Sequence, residues 1–214
     1  MPQRILIIVF PVLTHLILHS SSASAVIDPY YLNCSRPYRC SGTNINVSFP
    51  FRLPSSPSYC GIPGYELHCS DEESELSINL AGVDYRVREI NYTQGFITLV
   101  ESDFLGNPCP HTFTNTSINS TLFAFADLDL NLTVYINCSI PIPGLAEILC
   151  FNDLIWPRSY YKLDTGPPSF LLDLLGVCQL KAAVPVNQVA AASLNSSKAK
   201  FGEALQKGFG LKWS

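Results

Sequence analysis

Tyr59-Cys60-Gly61-Ile62-Pro63-Gly64-Tyr65-Glu66-Leu67-His68-Cys69 is the stretch that decides how this chain reads. Two cysteines bracket a Gly-x-Pro-Gly turn, and the turn feeds an apolar/polar alternation. Proline fixes one backbone angle, and glycine supplies conformations that other residues adopt only at a cost. So rigid a turn, with sulfur at both ends, belongs to an exported module framed by disulfides.

The rest of the cysteine pattern agrees. The 214-residue chain has eight cysteines: Cys34, Cys40, Cys60, Cys69, Cys109, Cys138, Cys150 and Cys178. No Cys-x-x-Cys pair occurs, so the spacing favours disulfides over a zinc site. Eight cysteines leave the connectivity open. Arg4, the apolar run Ile5–Leu18 and Ala23-Ser24-Ala25 read as a signal peptide over residues 1–25. The run is shorter than the ~20 apolar residues that span a bilayer, and no later stretch spans one either. Asn-x-Ser/Thr sequons occur at Asn33, Asn46, Asn91, Asn115, Asn119, Asn131, Asn137 and Asn195. Chance gives about two, so the surplus points to a glycosylated secretory protein. The expected location is extracellular, or membrane-associated if the chain continues into a longer protein.

Short strands separated by turn clusters dominate residues 33–138. Leu76-Ser77-Ile78-Asn79-Leu80 alternates, and Phe96-Ile97-Thr98-Leu99-Val100 is β-branched and aromatic behind a Gln94-Gly95 turn. Asn131–Cys138 is the clearest strand. Its pattern predicts Leu132, Val134, Ile136 and Cys138 inward, with Asn131, Thr133, Tyr135 and Asn137 toward solvent. Loops are expected at Pro54–Ser58, at Asp71–Glu75 and at Gly106–Pro110. Pro141-Ile142-Pro143-Gly144 marks a boundary. Beyond it, Leu171–Cys178 is apolar and fits either strand or helix. Val184-Pro185-Val186 is extended, and Asn195-Ser196-Ser197 offers capping side chains. Phe201 and Leu205 share a helical face that Gly208 ends, and Phe209, Leu211 and Trp213 alternate. The expected fold is mostly β and disulfide-rich. A small, sandwich-like sheet domain covers 26–140, and a smaller mixed α+β unit covers 141–214.

These features, taken in order, resemble the galacturonan-binding domain of plant wall-associated receptor kinases and their leaf-rust-resistance relatives. The matching residues are Cys34, Cys40, Phe49-Pro50-Phe51-Arg52 and Cys60-Gly61-x-Pro63-Gly64-Tyr65-Glu66-Leu67-x-Cys69. After them come Leu76-x-Ile78, Tyr85-Arg86-Val87-x-x-Ile90, Glu101-Ser102-Asp103, Cys109 and Asn137-Cys138. Val184-Pro185-Val186 and Leu205-x-x-Gly208-Phe209-x-Leu211-x-Trp213 resemble the C-terminal domain of the same receptors. That domain is expected to be truncated, because the family's cysteine-rich tail does not follow Trp213. No Gly-rich phosphate loop or kinase catalytic-loop motif is present, so kinase activity is not carried over.

The resemblance implies a non-catalytic module that binds pectin, the polygalacturonate of the plant wall. Guanidinium groups suit carboxylates because they form paired, charge-assisted hydrogen bonds. Arg52, Arg86 and Arg88 are therefore the candidate carboxylate ligands, and Tyr59 and Tyr65 the candidate stacking platforms. The competing reading leaves these arginines on a solvated face and the tyrosines in the core. Charge opposes simple polyanion capture, and nucleic acid with it: residues 26–110 hold five basic and ten acidic side chains. Calcium bridging pectate to Asp71, Glu72, Glu73 and Glu75 would answer this, although these residues lack the spacing of an EF-hand loop. No cofactor and no metal site of the protein's own is expected. A receptor ectodomain or decoy that binds a peptide or co-receptor is the alternative. An enzyme is disfavoured, since the chain beyond residue 25 has only His68 and His111, and no motif marks a carboxylate pair.

Overall fold

The computed structural model describes residues 28–70, 75–106, 113–149, 158–164, 176–196 and 201–214. Packing separates residues 1–33 from residues 34–214. In the first unit, Asp28 Oδ1 accepts the backbone N–H of Tyr30 at 2.8 Å and starts the short helix α1 (Pro29–Cys34).

Residues 34–214 are mostly β. In chain order the strands are β1 (Tyr38–Arg39), β2 (Asn46–Val47), β3 (His68–Ser70), β4 (Glu75–Leu80), β5 (Val83–Asn91) and β6 (Phe96–Glu101). They continue with β7 (Phe123–Phe125), β8 (Leu130–Cys138), β9 (Ala146–Glu147), β10 (Tyr160–Leu163), β11 (Cys178–Val186) and β12 (Phe209–Trp213). Helices α2 (Gln188–Ser196) and α3 (Phe201–Lys207) lie between the last two strands. A six-stranded sheet runs β3-β4-β5-β6-β12-β7, a four-stranded sheet runs β11-β8-β10-β9, and β1 pairs with β2. Every paired ladder is antiparallel.

Two large apolar cores follow from strand alternation. On β4, Leu76, Ile78 and Leu80 point inward, and β5 opposes them with Tyr85 and Val87. With Val47, Phe51, Leu53, Tyr65, Leu67, Phe123, Phe209 and Leu211 they form the first core. The second gathers Leu132, Val134 and Ile136 of β8, Ala182, Val184 and Val186 of β11, and the inner faces of α2 and α3. Strand β6 serves both, with Ile97 and Leu99 in the first core and Val100 in the second.

Two sequence expectations change. The outward face of β8 is buried at Thr133 and Tyr135, because β8 is an interior strand with β10 and β11 on its flanks. Thr133 Oγ1 donates to Asp164 Oδ2 at 2.9 Å, and Tyr135 joins Cys138, Ile142 and Tyr160 in a third, smaller cluster. Asn131 remains exposed and Asn137 is half-buried. Asn195 and Ser196 lie inside α2 rather than ahead of a helix. The Phe201/Leu205 face and the Gly208 stop are as expected: both side chains are buried, and Gly208 has φ +70°. Pro185 is accommodated because β11 is an edge strand. The loop expected at Asp71–Glu75 lies outside the described residues up to Ser74. So do most of Gly106–Pro110, the Leu171–Leu175 part of the apolar run, Ser197, and Cys109 and Cys150.

Three disulfides occur among the described residues: Cys34–Cys60, Cys40–Cys69 and Cys138–Cys178. The first two tie the irregular segment between residues 34 and 69 together at both ends. Also among the described residues, no helix is long and apolar enough to cross a membrane, which says nothing of a β-barrel. No cluster of three or more His, Cys, Asp or Glu side chains is arranged to hold a metal ion there.

Candidate functional site

The Gly61–Gly64 turn is built by its backbone. Ile62 N–H donates to Pro50 O at 3.0 Å, and Tyr65 N–H donates to Ile62 O at 3.1 Å. Arg52 and Glu66 form a parallel bridge, with Leu67 N–H donating to Arg52 O at 2.9 Å. A Cβ on Gly61 would lie 2.8 Å from Arg52 Cβ, and Gly64 has φ +92°. Both glycines are thus required by the approach of the Phe49–Arg52 segment and by the turn itself.

Inside this turn Arg52 is already neutralised. Its Nη2 lies 3.0 Å from Glu66 Oε1, and Gly64 N–H donates to Glu66 Oε2 at 2.7 Å. Burial works to raise the Glu66 pKa. The backbone N–H groups and Arg52 outweigh it and hold the carboxyl below its ordinary range. Arg86 is neutralised likewise, by an ion pair with Glu75 across β4 and β5. Arg88 occupies a β-bulge: the register shifts between Val87 and Glu89, which leaves Arg88 exposed on the strand. After the bulge the inward parity moves from Tyr85 and Val87 to Ile90, as the spacing Val87-x-x-Ile90 already records.

Of the two tyrosines chosen as platforms, Tyr59 is exposed. Tyr65 is not available to a sugar. Only 1% of it is exposed, and its ring packs edge-on to Phe51 at 5.5 Å and against Phe123 at 5.0 Å. Its hydroxyl donates to Leu122 O at 2.7 Å. The core alternative is the one that holds for Tyr65, because the strand-like alternation after the turn points this ring inward.

A different set of residues converges nearby. Tyr92, at the β5–β6 hairpin, reaches across to β2. Its hydroxyl accepts from Ser48 N–H at 2.7 Å and faces the carbonyls of Asn46 and Ser48 at 3.1 and 3.3 Å. Burial raises the Tyr92 pKa, so the phenol stays protonated and can donate. The ring is 38% exposed and stands edge-on to Trp213, with centroids 5.8 Å apart. Trp213 packs in turn on buried Phe51 at 5.0 Å. Phe49, next in the chain to Ser48, leaves 62% of its surface exposed.

Arg39 is linked to this aromatic ledge through Asn46, whose carbonyl faces the Tyr92 hydroxyl. It is the ladder partner of Asn46, whose Oδ1 accepts from its Nε at 3.0 Å and from its Nη2 at 2.6 Å. The guanidinium is therefore held by a neutral amide, and no carboxylate pairs with it among the described residues. Its remaining N–H groups can meet an external anion. Sequence reasoning missed Arg39, Tyr92 and Trp213. Tyr92 was visible only as the middle residue of a sequon, and a two-residue strand such as β1 leaves no period to read.

Residues 34–101 match the family model described as wall-associated receptor kinase galacturonan-binding. Three curated relatives from Arabidopsis thaliana are named as leaf rust 10 disease-resistance locus receptor-like protein kinase-like proteins. Number 1.2 is 28% identical over 203 residues, covering 88% of this chain and 29% of the relative. Number 2.5 is 31% identical over 205 residues, covering 86% and 30%. Number 2.1 is 30% identical over 196 residues, covering 86% and 30%. The chain thus spans under a third of the length of these relatives. No solved structure matches it. The matched segment, residues 34–101, belongs to the wall-associated receptor kinase galacturonan-binding family.

Proposed function

We propose that this chain is an extracellular, non-catalytic module that binds polygalacturonate, with Arg39, Tyr92 and Trp213 as the contact site. The observation that carries the assignment is the state of the arginines. Arg52 and Arg86 spend their charge on Glu66 and Glu75, whereas Arg39 is oriented by Asn46 and keeps its charge. A uronate unit offers an apolar C–H face and a carboxylate. Partly exposed rings beside an unneutralised guanidinium are complementary to both.

The acidic balance of the surrounding chain limits the attraction to short range. A polyanion is repelled at distances beyond the Debye length, about 8 Å at physiological salt, and is held only at contact. Affinity then depends on a few charge-assisted hydrogen bonds and on the rings.

Retention on polygalacturonate tests this. Arg39→Gln removes the cation and is expected to weaken binding about tenfold or more, the worth of one charge-assisted contact. Arg52→Gln is expected to leave binding unchanged and to lower stability by less than about 1 kcal/mol, since its ion pair is partly exposed. Equal losses for the two variants would refute the assignment. Loss of binding on adding a chelator would instead favour calcium-bridged pectate, and retention of a wall protein in place of pectate would favour a peptide or co-receptor partner.

A further inference from the structure

Asn46 has two roles in the geometry described. Its carboxamide oxygen holds the Arg39 guanidinium, and its backbone carbonyl faces the Tyr92 hydroxyl. Its carboxamide nitrogen makes no hydrogen bond among the described residues. That nitrogen belongs to the sequon Asn46-Val47-Ser48, at an exposed position on a two-residue strand. The other sequon beside the ledge differs. Asn91 is half-buried, and its Nδ2 points to Gln94 Oε1 at 3.4 Å within the hairpin turn.

We propose that Asn46 carries an N-linked glycan that lies over the Arg39–Tyr92–Trp213 ledge and controls access of polyuronate to it. In the transfer, Asn46 Nδ2 attacks the anomeric carbon of a lipid-linked diphosphate oligosaccharide. The new N–C bond replaces the C–O bond to the diphosphate, which leaves with the lipid, and the amide nitrogen gives up one proton. The product amide keeps its carbonyl oxygen. The fork from Arg39 therefore survives glycosylation, and only the nitrogen side of the residue changes. The glycan's apolar sugar faces then cover the partly exposed rings of Tyr92 and Trp213, which removes apolar surface from water. The gating half of this inference rests on the ledge being the polyuronate site. The placement of the glycan does not.

Ser48→Ala separates the two halves. It destroys the sequon and keeps Asn46 and the Ser48 backbone groups that Tyr92 meets; the Ser48 hydroxyl, which also meets Tyr92, is lost, so the same pair of chains made with glycosylation blocked measures that loss by itself. The full chain is produced in a glycosylating secretory host, with and without this change, and Trp156 is replaced by phenylalanine in both so that Trp213 is the only fluorophore of its kind. Mass spectrometry of the Asn46 peptide is expected to find a glycan only in the parent; an unmodified Asn46 in the parent overturns the proposal. Acrylamide is expected to quench Trp213 more strongly in Ser48→Ala, and equal quenching overturns the placement. A glycan that covers the ledge nine-tenths of the time lowers apparent affinity about tenfold, so Ser48→Ala is expected to bind polygalacturonate about tenfold more tightly. Equal binding by both forms overturns the gating. Binding by neither form overturns the ledge as the polyuronate site and the gating with it, and the first two measurements still decide where the glycan lies. If Ser48→Ala fails to fold, graded enzymatic trimming of the parent, with occupancy of the Asn46 peptide followed by mass spectrometry, supplies the comparison: quenching and affinity that track Asn46 occupancy support the proposal, and readouts that do not track it overturn it.

Discussion

The two large cores of this molecule are covered in different ways. Over the first, the layer facing the six-stranded sheet is an irregular segment between Cys40 and Leu67, with one two-residue ladder and no long helix. Over the second, α2 and α3 supply the layer, and their backbones are satisfied within the helices. An irregular layer pairs its polar groups in scattered turns rather than in a continuous ladder, and its ordering entropy is offset by little regular structure. The first region therefore relies on cross-links and side-chain anchors. Cys34–Cys60 and Cys40–Cys69 restrain the segment, and the hydroxyls of Tyr65 and Tyr92 meet backbone groups. Each region also holds one buried tyrosine hydroxyl with no hydrogen-bond partner among the described residues, Tyr85 in the first and Tyr161 in the second, so the contrast rests on the cross-links and on Tyr65 and Tyr92. The proposed contact residues Arg39, Tyr92 and Trp213 lie on the region held by anchors.

The harshest way to break this division is at its seam. Gly208 links α3, which packs in the second core, to β12, which completes the first sheet. It has φ +70°, and a Cβ there would lie 1.9 Å from the Leu99 carbonyl oxygen of β6. Gly208→Ala is expected to cost at least about 3 kcal/mol, because backbone must move as well as strain. Gly95→Ala is the control. It has the same φ of +70° with nothing within 4 Å, and is expected to cost about 1 kcal/mol. Thermal or denaturant melts of the two variants measure the difference. Equal costs would mean that the seam is not packed as described.

A second test at the seam uses pH. Glu101 ends β6 directly after Val100 and faces Tyr85 across the ladder. Only 5% of it is exposed, and its Oε2 has no hydrogen-bond partner among the described residues. Burial, and then the charge of Asp103, push its pKa from 4.5 up to about 7. The folded state thus holds this proton more tightly than the unfolded chain. The stabilisation is complete below the unfolded value near 4.5 and is lost as pH rises through about 7. Over that window wild type is expected to lose up to about 3 kcal/mol relative to Glu101→Gln, with the two similar at pH 4. Asp129, raised to about 6 chiefly by burial, adds a loss of the same sign to both proteins and cancels in the difference. Denaturant melts from pH 4 to 8 read it, and parallel curves would remove Glu101 from the interior.

How much of this was readable beforehand follows the same division. The first region's sheet was legible, because β4 and β6 alternate cleanly and the Cys60–Cys69 turn carries its glycines and proline at the required positions. Its proposed contact surface was not. Arg52 and Arg86 look free in sequence, and only the folded register brings Glu66 and Glu75 onto them. In the second region, β8 read correctly as a strand but not as an interior one, since burial on both faces depends on β10 and β11, whose positions alternation does not record. Helix α2 went unread because Val189, Ala190, Ala191 and Leu194 carry a weak period and its N-cap, Asn187, whose Oδ1 accepts from Val189 N–H at 2.8 Å, follows directly on the extended Val184-Pro185-Val186.

The smallest expected effect tests the anchor idea most directly, since it removes one oxygen atom from each region. Tyr65→Phe deletes the hydroxyl that meets the Leu122 carbonyl at 2.7 Å and faces Ser214 O at 3.4 Å, which leaves that carbonyl with the Ser214 N–H alone, at 3.0 Å. That is expected to cost about 1 to 2 kcal/mol. Tyr161→Phe deletes a hydroxyl that is buried without a partner among the described residues. Removing it relieves a desolvated polar group, so the change is expected to be neutral or to stabilise by up to about 1 kcal/mol. The rings stay in both variants, leaving the packing on Phe123 and on Phe201 intact. Denaturant unfolding of the pair gives the sign of each. Equal losses would mean that the two regions satisfy their polar groups alike, and the contrast between an anchored and a helix-covered core would fail.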